Sequence, residues 1–482
     1  MLTSPLPGPG RNVLALAALA AASGCASFAP GHWVNGRTAP PDAVATEARN
    51  APPPAPARPA TPPAPQSPPA PPATPRSLGE LVDVALSGNP ATRATWHDAR
   101  TAAAQAGGAR SLYLPSLDVN AGISRQRTVS LPDRPGLDYA VWGPSASLTW
   151  VLLDLGARSA LVDQADLTLA AARLAELAAV ADLVLNVQQA YFQYLAARAL
   201  LEAEAASVKQ AETSLAAAEG RRRAGLATVA DVLQARTALS QTRLALQQVE
   251  GQALVSRGAL ATLAGLAPTT ELDVGQLPEA VDAAAAQPTI DELLAAAAQR
   301  NPDLGRARAA AAAAAAQARA ASAALGPVLS FQSTLSRSWY EDPPSASSAW
   351  TFGLVLRIPT VHGLRPAYDA LAAREQADAA RDRADAAGQR VALDVWTAWQ
   401  GLRTAGLRVA TARDLVDSAR ASADVATGRY KEGVGSILDL LTAQAALELA
   451  VAEDVRARTD YLVGLAQLAR ATGRLDPGPR TP

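Results

Sequence analysis

The same landmarks occur twice along this chain, in the same order and at nearly constant spacing. SLGELVDVALSGNP (Ser77 to Pro90) returns as TIDELLAAAAQRNP (Thr289 to Pro302), with the two Asn-Pro pairs 212 residues apart. Pro115 and Pro327 keep that interval. Further on, GRRRAGLATVADVLQARTAL (Gly220 to Leu239) matches GRYKEGVGSILDLLTAQAAL (Gly428 to Leu447) at an interval of 208. Ala-rich helices alone would not also align glycines, prolines and aspartates, so one unit has been duplicated. The expected division is a first repeat at 77–268, a linker at 269–288, a second repeat at 289–475 and a tail at 476–482.

Each copy reads as helix, strand pair, very long helix, tight turn and long helix. From Ser116 to Thr128 the apolar residues Leu117, Val119, Ala121 and Ile123 alternate with Ser116, Asp118, Asn120, Ser124 and Gln126. Trp142, Pro144, Ala146, Leu148, Trp150 and Leu152 then share one face. In the second copy, Leu329, Phe331, Leu335 and Trp339, followed by Trp350, Phe352, Leu354, Leu356 and Ile358, do the same. This period of two predicts strands. Pro144 is awkward inside a ladder and is expected at a bulge or a strand start. Long proline-poor helices are predicted from Ala157 to Glu219 and from Leu364 to Thr427. About 60 residues of helix is on the order of 90 Å. Val180, Leu183, Val187, Ala190 and Tyr194, and again Val395, Trp399, Leu402, Gly406 and Val409, step by three and four, the seam of coiled helices.

The amino end has the form of an address. Arg11, the apolar run Val13 to Ala22 and the triplet before Cys25 form a signal peptide at 1–24. The ASGC sequence resembles a bacterial lipobox, which makes Cys25 the acylation site; an ordinary signal peptide with an incidental cysteine is the alternative. Residues 40–75 hold 15 of the 36 prolines, so 25–76 is expected to be a lipidated start followed by a stiff, solvated tether.

Composition narrows the function. The 482 residues carry 43 basic and 44 acidic groups, and this balance argues against a nucleic-acid partner. A single cysteine and the scattered His32, His97 and His362 provide neither a metal site nor a catalytic triad. No phosphate-cradling glycine loop appears. No enzyme, cofactor or metal is expected.

The strands suggest a membrane. Trp142 and Trp150 lie eight residues apart on one face, roughly 26 Å at about 3.3 Å per residue, close to the ~25 Å apolar band of an outer-membrane barrel. Trp142, Trp150, Trp339 and Trp350 are the expected aromatic girdle, with Tyr139 and Tyr340 also near strand ends. Four strands cannot close a barrel, and open edges in lipid would leave backbone groups unsatisfied. Two subunits would give eight strands with a filled interior; three would give twelve and a water-filled lumen. A duct therefore requires a homotrimer.

The lipobox, the duplicated units and the turn RYKEGVGSILDLLTAQ (Arg429 to Gln444) resemble the TolC-type outer membrane factors, lipoprotein branch, associated with RND pumps. The resemblance covers Ser77 to about Leu475. It implies a mostly α protein with a membrane β-barrel segment, in which duplicated long helices form an α-barrel and four strands per subunit build a shared trimeric 12-stranded barrel. It also implies a passive exit duct in the outer membrane, lipid-anchored and extending into the periplasm, serving an inner-membrane efflux pump through a periplasmic adaptor. The tip that meets the adaptor would be Gly225, Leu226, Ala227, Thr228, Gly433, Val434, Gly435 and Ser436. The constriction would be formed by Asp439, Asp231, Leu438 and Tyr430.

Several of these residues have a second reading. Gly225 and Gly433 can end a helix in the left-handed conformation. Thr228 and Ser436 stand three residues before Asp231 and Asp439, the spacing of a capping box with Asp in place of Glu. Both aspartates are thus explained as first-turn acids, or as carboxylates lining a narrow throat. Thr442 stands where the family has its second motif acid. Tyr430 either hydrogen-bonds between helices in a closed state or packs against its neighbour. Gly435 replaces a polar residue of other members, so no closing salt link is implied there. Pro359-Thr360-Val361-His362-Gly363 keeps the family's proline and glycine, with His362 a surface residue. Two alternatives stand beside the efflux duct: a lipid-tethered periplasmic coiled-coil scaffold, and the exit duct of a type I protein secretion system.

Overall fold

The computed structural model describes residues 77–127, 138–281, 288–341, 344–359 and 364–474. The first copy contains α1 (Leu78–Gly88), α2 (Pro90–Arg110), β1 (Ser116–Arg127), β2 (Asp138–Leu153), α3 (Ala157–Arg223) and α4 (Val229–Leu263). The second contains α5 (Ile290–Arg300), α6 (Pro302–Ala323), β3 (Val328–Tyr340), β4 (Ser345–Arg357), α7 (Arg365–Lys431) and α8 (Ile437–Ala471). The duplication is complete at this level: α3 and α7 each have 67 residues, α4 and α8 each 35. The interval of 212 holds through the start of β3 and becomes 208 at α7. The four-residue difference therefore accumulates within the strand hairpin and its exit. No helix among the described residues is long and apolar enough to cross a membrane.

The repeated Asn-Pro pair has a double task. Pro90 and Pro302 open α2 and α6, where a missing N–H costs nothing. Asn89 Oδ1 accepts from the Ala91 N–H, and Asn301 Oδ1 from the Asp303 N–H. The same side chains donate from Nδ2 to the ends of α4 and α8, Asn89 to Leu263 O and Asn301 to Ala471 O at 2.9 Å. One residue thus caps a helix start and a helix end 170 positions away.

The chain divides into two compact units. One combines residues of His97–Arg173 and Arg306–Ala384 and holds the sheet. Its strands run in the order β1-β2-β3-β4, all antiparallel, with β1 and β4 at open edges. The register stacks the apolar file of each strand beside the next. Ile123 faces Trp142, which faces Trp339; Val119 faces Ala146, which faces Leu335, which faces Trp350. This face is uncovered, with Ile123 78% and Trp350 69% exposed. The opposite face carries Ser145, Ser147, Thr149, Gln332, Thr334 and Ser336.

Pro144 corrects the sequence reading. It is neither a strand start nor a bulge, because β2 begins at Asp138 and the irregularity lies between Val151 and Leu153. Pro144 pairs with Ala121 on β1, while on its other side the ladder to β3 lapses at Gly143 and Pro144 and resumes in the same register at Ser145. A residue without an N–H is tolerated where the ladder makes no demand on it.

The other unit includes Leu174–Gly305 and the second-copy helices from Asp385 onward. Its core is the expected seam: Leu183, Val187, Ala190 and Tyr194 are buried in one cluster, and Val395, Leu402 and Val409 in another. The segment after α4, expected as a linker, is built into this core. Leu272, Val274 and Leu277 are buried, and its carbonyls accept from Arg198 Nη1 (Val274 O, 2.8 Å) and Arg458 Nη1 (Pro278 O, 3.0 Å).

Candidate functional site

The two interhelical turns lie in the second unit and are constructed alike. In the first, the Leu226 N–H donates to Arg221 O at 2.8 Å and the Gly225 N–H to Arg222 O at 3.0 Å. Gly225 has φ +75°. These are the two bonds of a Schellman motif closed by a left-handed glycine. In the second, the Val434 N–H donates to Arg429 O, the Gly433 N–H to Tyr430 O, and Gly433 has φ +81°.

The next helix then starts on a reciprocal cap. Thr228 Oγ1 accepts from the Asp231 N–H (3.2 Å) while Asp231 Oδ2 accepts from the Thr228 N–H (2.7 Å). Ser436 and Asp439 repeat this at 3.1 and 3.4 Å. Both aspartates therefore have a local structural role, which removes two orphan donors and places an acid at a helix start. Leu438 is exposed one position before Asp439.

Packing separates the turns. Nothing lies within 4 Å of where a Cβ on Gly225 would stand. A Cβ on Gly433 would meet Arg221 Nη2 at 3.3 Å. Arg221 comes from the end of α3, donates from Nη1 to Tyr430 O at 2.7 Å and places its guanidinium 5.0 Å from the Tyr430 ring centroid. Tyr430 is buried with Ala218, Val232, Ala235, Ile437 and Leu440. Burial, opposed by Arg221 and aided by Asp231, raises its phenol above the ordinary tyrosine range. Its hydroxyl has no hydrogen-bond partner among the described residues. Within one chain Tyr430 is thus a packed ring beneath an arginine. Gly435 is equally constrained, since its added Cβ would stand 3.0 Å from the Arg429 Cβ.

Arg221 is a residue that reading the sequence missed. In the run Arg221-Arg222-Arg223 all three suit a helix C-terminus, and nothing local marks the first as the one that reaches Tyr430. A second missed feature sits between helices of the same unit. Glu204 on α3 and Glu448 on α8 line a cavity of about 730 Å³ together with Asp424 of α7, and Glu204 Oε2 is buried without a hydrogen-bond partner among the described residues. Glu204 is 8% exposed, and burial, then the neighbouring Glu448, push its carboxyl up to about 7. Burial raises the Glu448 carboxyl as well.

The four tryptophans are placed as follows. Trp142 and Trp339 are cross-strand partners near the hairpin ends. Trp150 pairs with Phe331 near the helix-bearing ends and donates Nε1–H to Tyr113 O. Trp350 pairs with Leu335, four positions along β3 from either of those rungs, and stacks on Phe352. Tyr139 and Tyr340 lie on the polar face, where the Tyr139 hydroxyl donates to Gln126 Oε1. Cys25, the tether, His32 and residues 360–363 with His362 lie outside the described residues.

A family model described as Outer membrane efflux protein matches the chain twice, over residues 81–266 and 293–474. Protein CyaE of Bordetella pertussis is 31% identical over 386 residues, spanning 77% of this chain and 78% of that protein. Outer membrane protein OprJ of Pseudomonas aeruginosa is 29% identical over 409 residues, spanning 82% and 84%. Of solved structures, a membrane protein from Pseudomonas aeruginosa matches with a TM-score of 0.74 at 28% identity, covering 85% of this chain and 99% of that one. The outer membrane protein VceC of Vibrio cholerae shares the fold, with a TM-score of 0.73 at 20% identity over 82% and 96%. With two matched repeats, the same helix-and-hairpin order in each and a sheet polar on one side only, this chain belongs to the outer membrane efflux protein family, the TolC-type outer membrane factors.

Proposed function

We propose that three copies of this chain form a passive exit duct through the outer membrane. The observation that carries this reading is the sheet: four strands, one exposed apolar face, one polar face and two unpaired edges. In lipid such edges must pair, and identical neighbours supply them. Twelve strands leave an aqueous lumen lined by the serine and threonine face.

The helical unit extends into the periplasm, and the turns at Gly225–Thr228 and Gly433–Ser436 meet a periplasmic adaptor that joins the duct to an inner-membrane efflux pump. Leu226 and Val434, exposed at the turn apices, are suited to such a contact. Asp439 and Asp231, with Leu438 and Tyr430, narrow the periplasmic end. Trp142, Trp150, Trp339 and Trp350 border or enter the lipid band. Cys25 carries the lipid anchor, residues 25–76 tether it, and the repeats at 77–268 and 289–475 form the duct wall. Transport through this wall needs no catalytic group, so the chain is a conduit and not an enzyme.

Extraction and conductance test the reading together. With Cys25→Ser and the signal peptide kept, the protein should still require detergent for release and should form cation-conducting trimers in a planar bilayer. Release by salt alone, or a monomer in lipid, would replace the duct with a tethered periplasmic scaffold.

A further inference from the structure

The apolar face of the sheet carries a cation with no carboxylate partner among the described residues. Outward positions on β3 run Leu329, Phe331, Ser333, Leu335, Arg337 and Trp339, so Arg337 stands in the apolar file just short of the Trp142–Trp339 rung. Its guanidinium lies over the Trp339 ring, 5.4 Å from the centroid, and its Nε is buried without a hydrogen-bond partner. The ion pair on this face, Arg125 with Asp138 at 2.9 Å, lies beyond the tryptophan rung, and no carboxylate among the described residues pairs with Arg337. A lipid-facing arginine is costly unless something anionic meets it.

The surroundings leave room for such a group. The rung partner on β4 is Ser348, and on β2 the ladder lapses at Gly143 and Pro144. The register sets Pro144 beside Arg337 on that flank, so neither neighbour on this face is a large side chain. Gly143, on the polar face, lets the two backbones approach, since its Cβ would stand 1.8 Å from the Arg337 carbonyl oxygen. All these residues belong to one chain, so the site is complete without a neighbour.

Position identifies the ligand. Arg337 lies three residues from the hairpin end of β3 and nine from the end that joins a helix. If the helices occupy the periplasm, as the proposed duct requires, the hairpin ends face the outer leaflet. We propose that Arg337, with Ser348 beside it and Trp339 and Trp142 as its aromatic border, binds a phosphate of the outer-leaflet glycolipid, the phosphorylated lipid A of lipopolysaccharide. The guanidinium fork matches phosphate geometry, and the tryptophans match the level at which headgroup meets acyl chain.

Native mass spectrometry of the purified full-length protein tests this with three probes: bis-phosphorylated lipid A, the same lipid dephosphorylated, and phosphatidylglycerol. The phosphorylated glycolipid should be retained about tenfold better than its dephosphorylated form, as expected for loss of a charge-assisted contact. R337Q should abolish that preference, and R337K should restore part of it. Equal retention of the two glycolipids, an unchanged preference in R337Q, or phosphatidylglycerol held as tightly as lipid A would overturn the assignment. Should R337Q not assemble, the comparison of the two glycolipids on the wild-type protein decides. Bilayer conductance is read separately. A conducting trimer without phosphate preference would refute only the lipid site; a non-conducting protein that keeps the preference would refute only the duct.

Discussion

The turn at Gly225 and the turn at Gly433 share a backbone and differ in what holds them. Both use a left-handed glycine, a hydroxyl cap and an aspartate three residues later. Val229, the first residue of α4, is 58% exposed, whereas Ile437, its counterpart in α8, is 4% exposed. The contrast originates in one exchange between the copies: Tyr430 stands where the first copy has Arg222. The ring shares one core with Ala218, Val232 and Ala235 of the first hairpin, and Arg221 crosses from that hairpin to cover it. Duplication therefore fixed the path of both turns, while their side chains left the start of α4 exposed and buried the start of α8.

Replacing the glycines should give the largest effect and test this contrast directly. A glutamate at either position strains a left-handed residue by about 1–3 kcal/mol, but only Gly433→Glu also displaces Arg221. Adaptor-dependent export should be lost in Gly433→Glu with trimers still visible on unheated gels, and only reduced in Gly225→Glu. Equal export by the two variants would mean that the packing difference has no functional consequence.

Arg221→Ala should rank next. It uncovers Tyr430 and removes the Arg221 bond to the second hairpin, so single-channel conductance should rise several-fold, while Arg222→Ala leaves it unchanged. Identical conductance in the two variants would rule out Arg221 as a latch.

The caps come third. Asp231→Ala and Asp439→Ala should each cost about 0.3–1 kcal/mol in thermal unfolding, because each loses a first-turn carboxylate and its bond from the N-cap N–H while the backbone N–H of the replaced residue keeps its bond to the cap hydroxyl. If Asp439 also rings the throat, only its variant will raise conductance and lower cation selectivity. Unchanged conductance would restrict it to capping.

The smallest effect concerns Glu204 and Glu448, another place where the copies differ, since Ala412 and Ser240 occupy the corresponding positions. The Glu204 carboxyl titrates near 7 in the folded protein against 4.5 otherwise, so the native state holds the extra proton between those values. Stability should thus be fully present below about pH 4.5 and fall as pH rises through 7. The melting temperature of the wild type should drop by about 1–2 °C over that window, and Glu204→Gln should flatten the slope. A parallel slope in the variant would assign the dependence to other groups.

Much of this molecule was legible before any coordinates. The helices, the four strands, both glycine turns and both caps follow from residues within a few positions of one another. The sheet faces were also legible, although alternation did not reveal that Pro144 sits where the ladder lapses, because that depends on the neighbouring strand. That the linker packs into the core was not legible: Leu272, Val274 and Leu277 are too sparse to show a period, and their burial, with the bonds from Arg198 and Arg458, appears only in the fold. Arg337 was hidden within an otherwise regular strand, since one arginine in an alternating run carries no sign of which partner it lacks.

By itself the sequence determined that everything comes twice, where each helix and strand lies, and how each turn closes. These are consequences of local energies: backbone sterics at glycine and proline, caps three residues apart, and periods of two and 3.6. Only the tertiary structure decided that Arg221 meets Tyr430 across 209 residues, that Asn301 closes a helix 170 residues away, and that two glutamates share one cavity. A helix turns its side chains by about 100° per residue, so small differences in phase select which long-range partners meet, and no local rule records that choice.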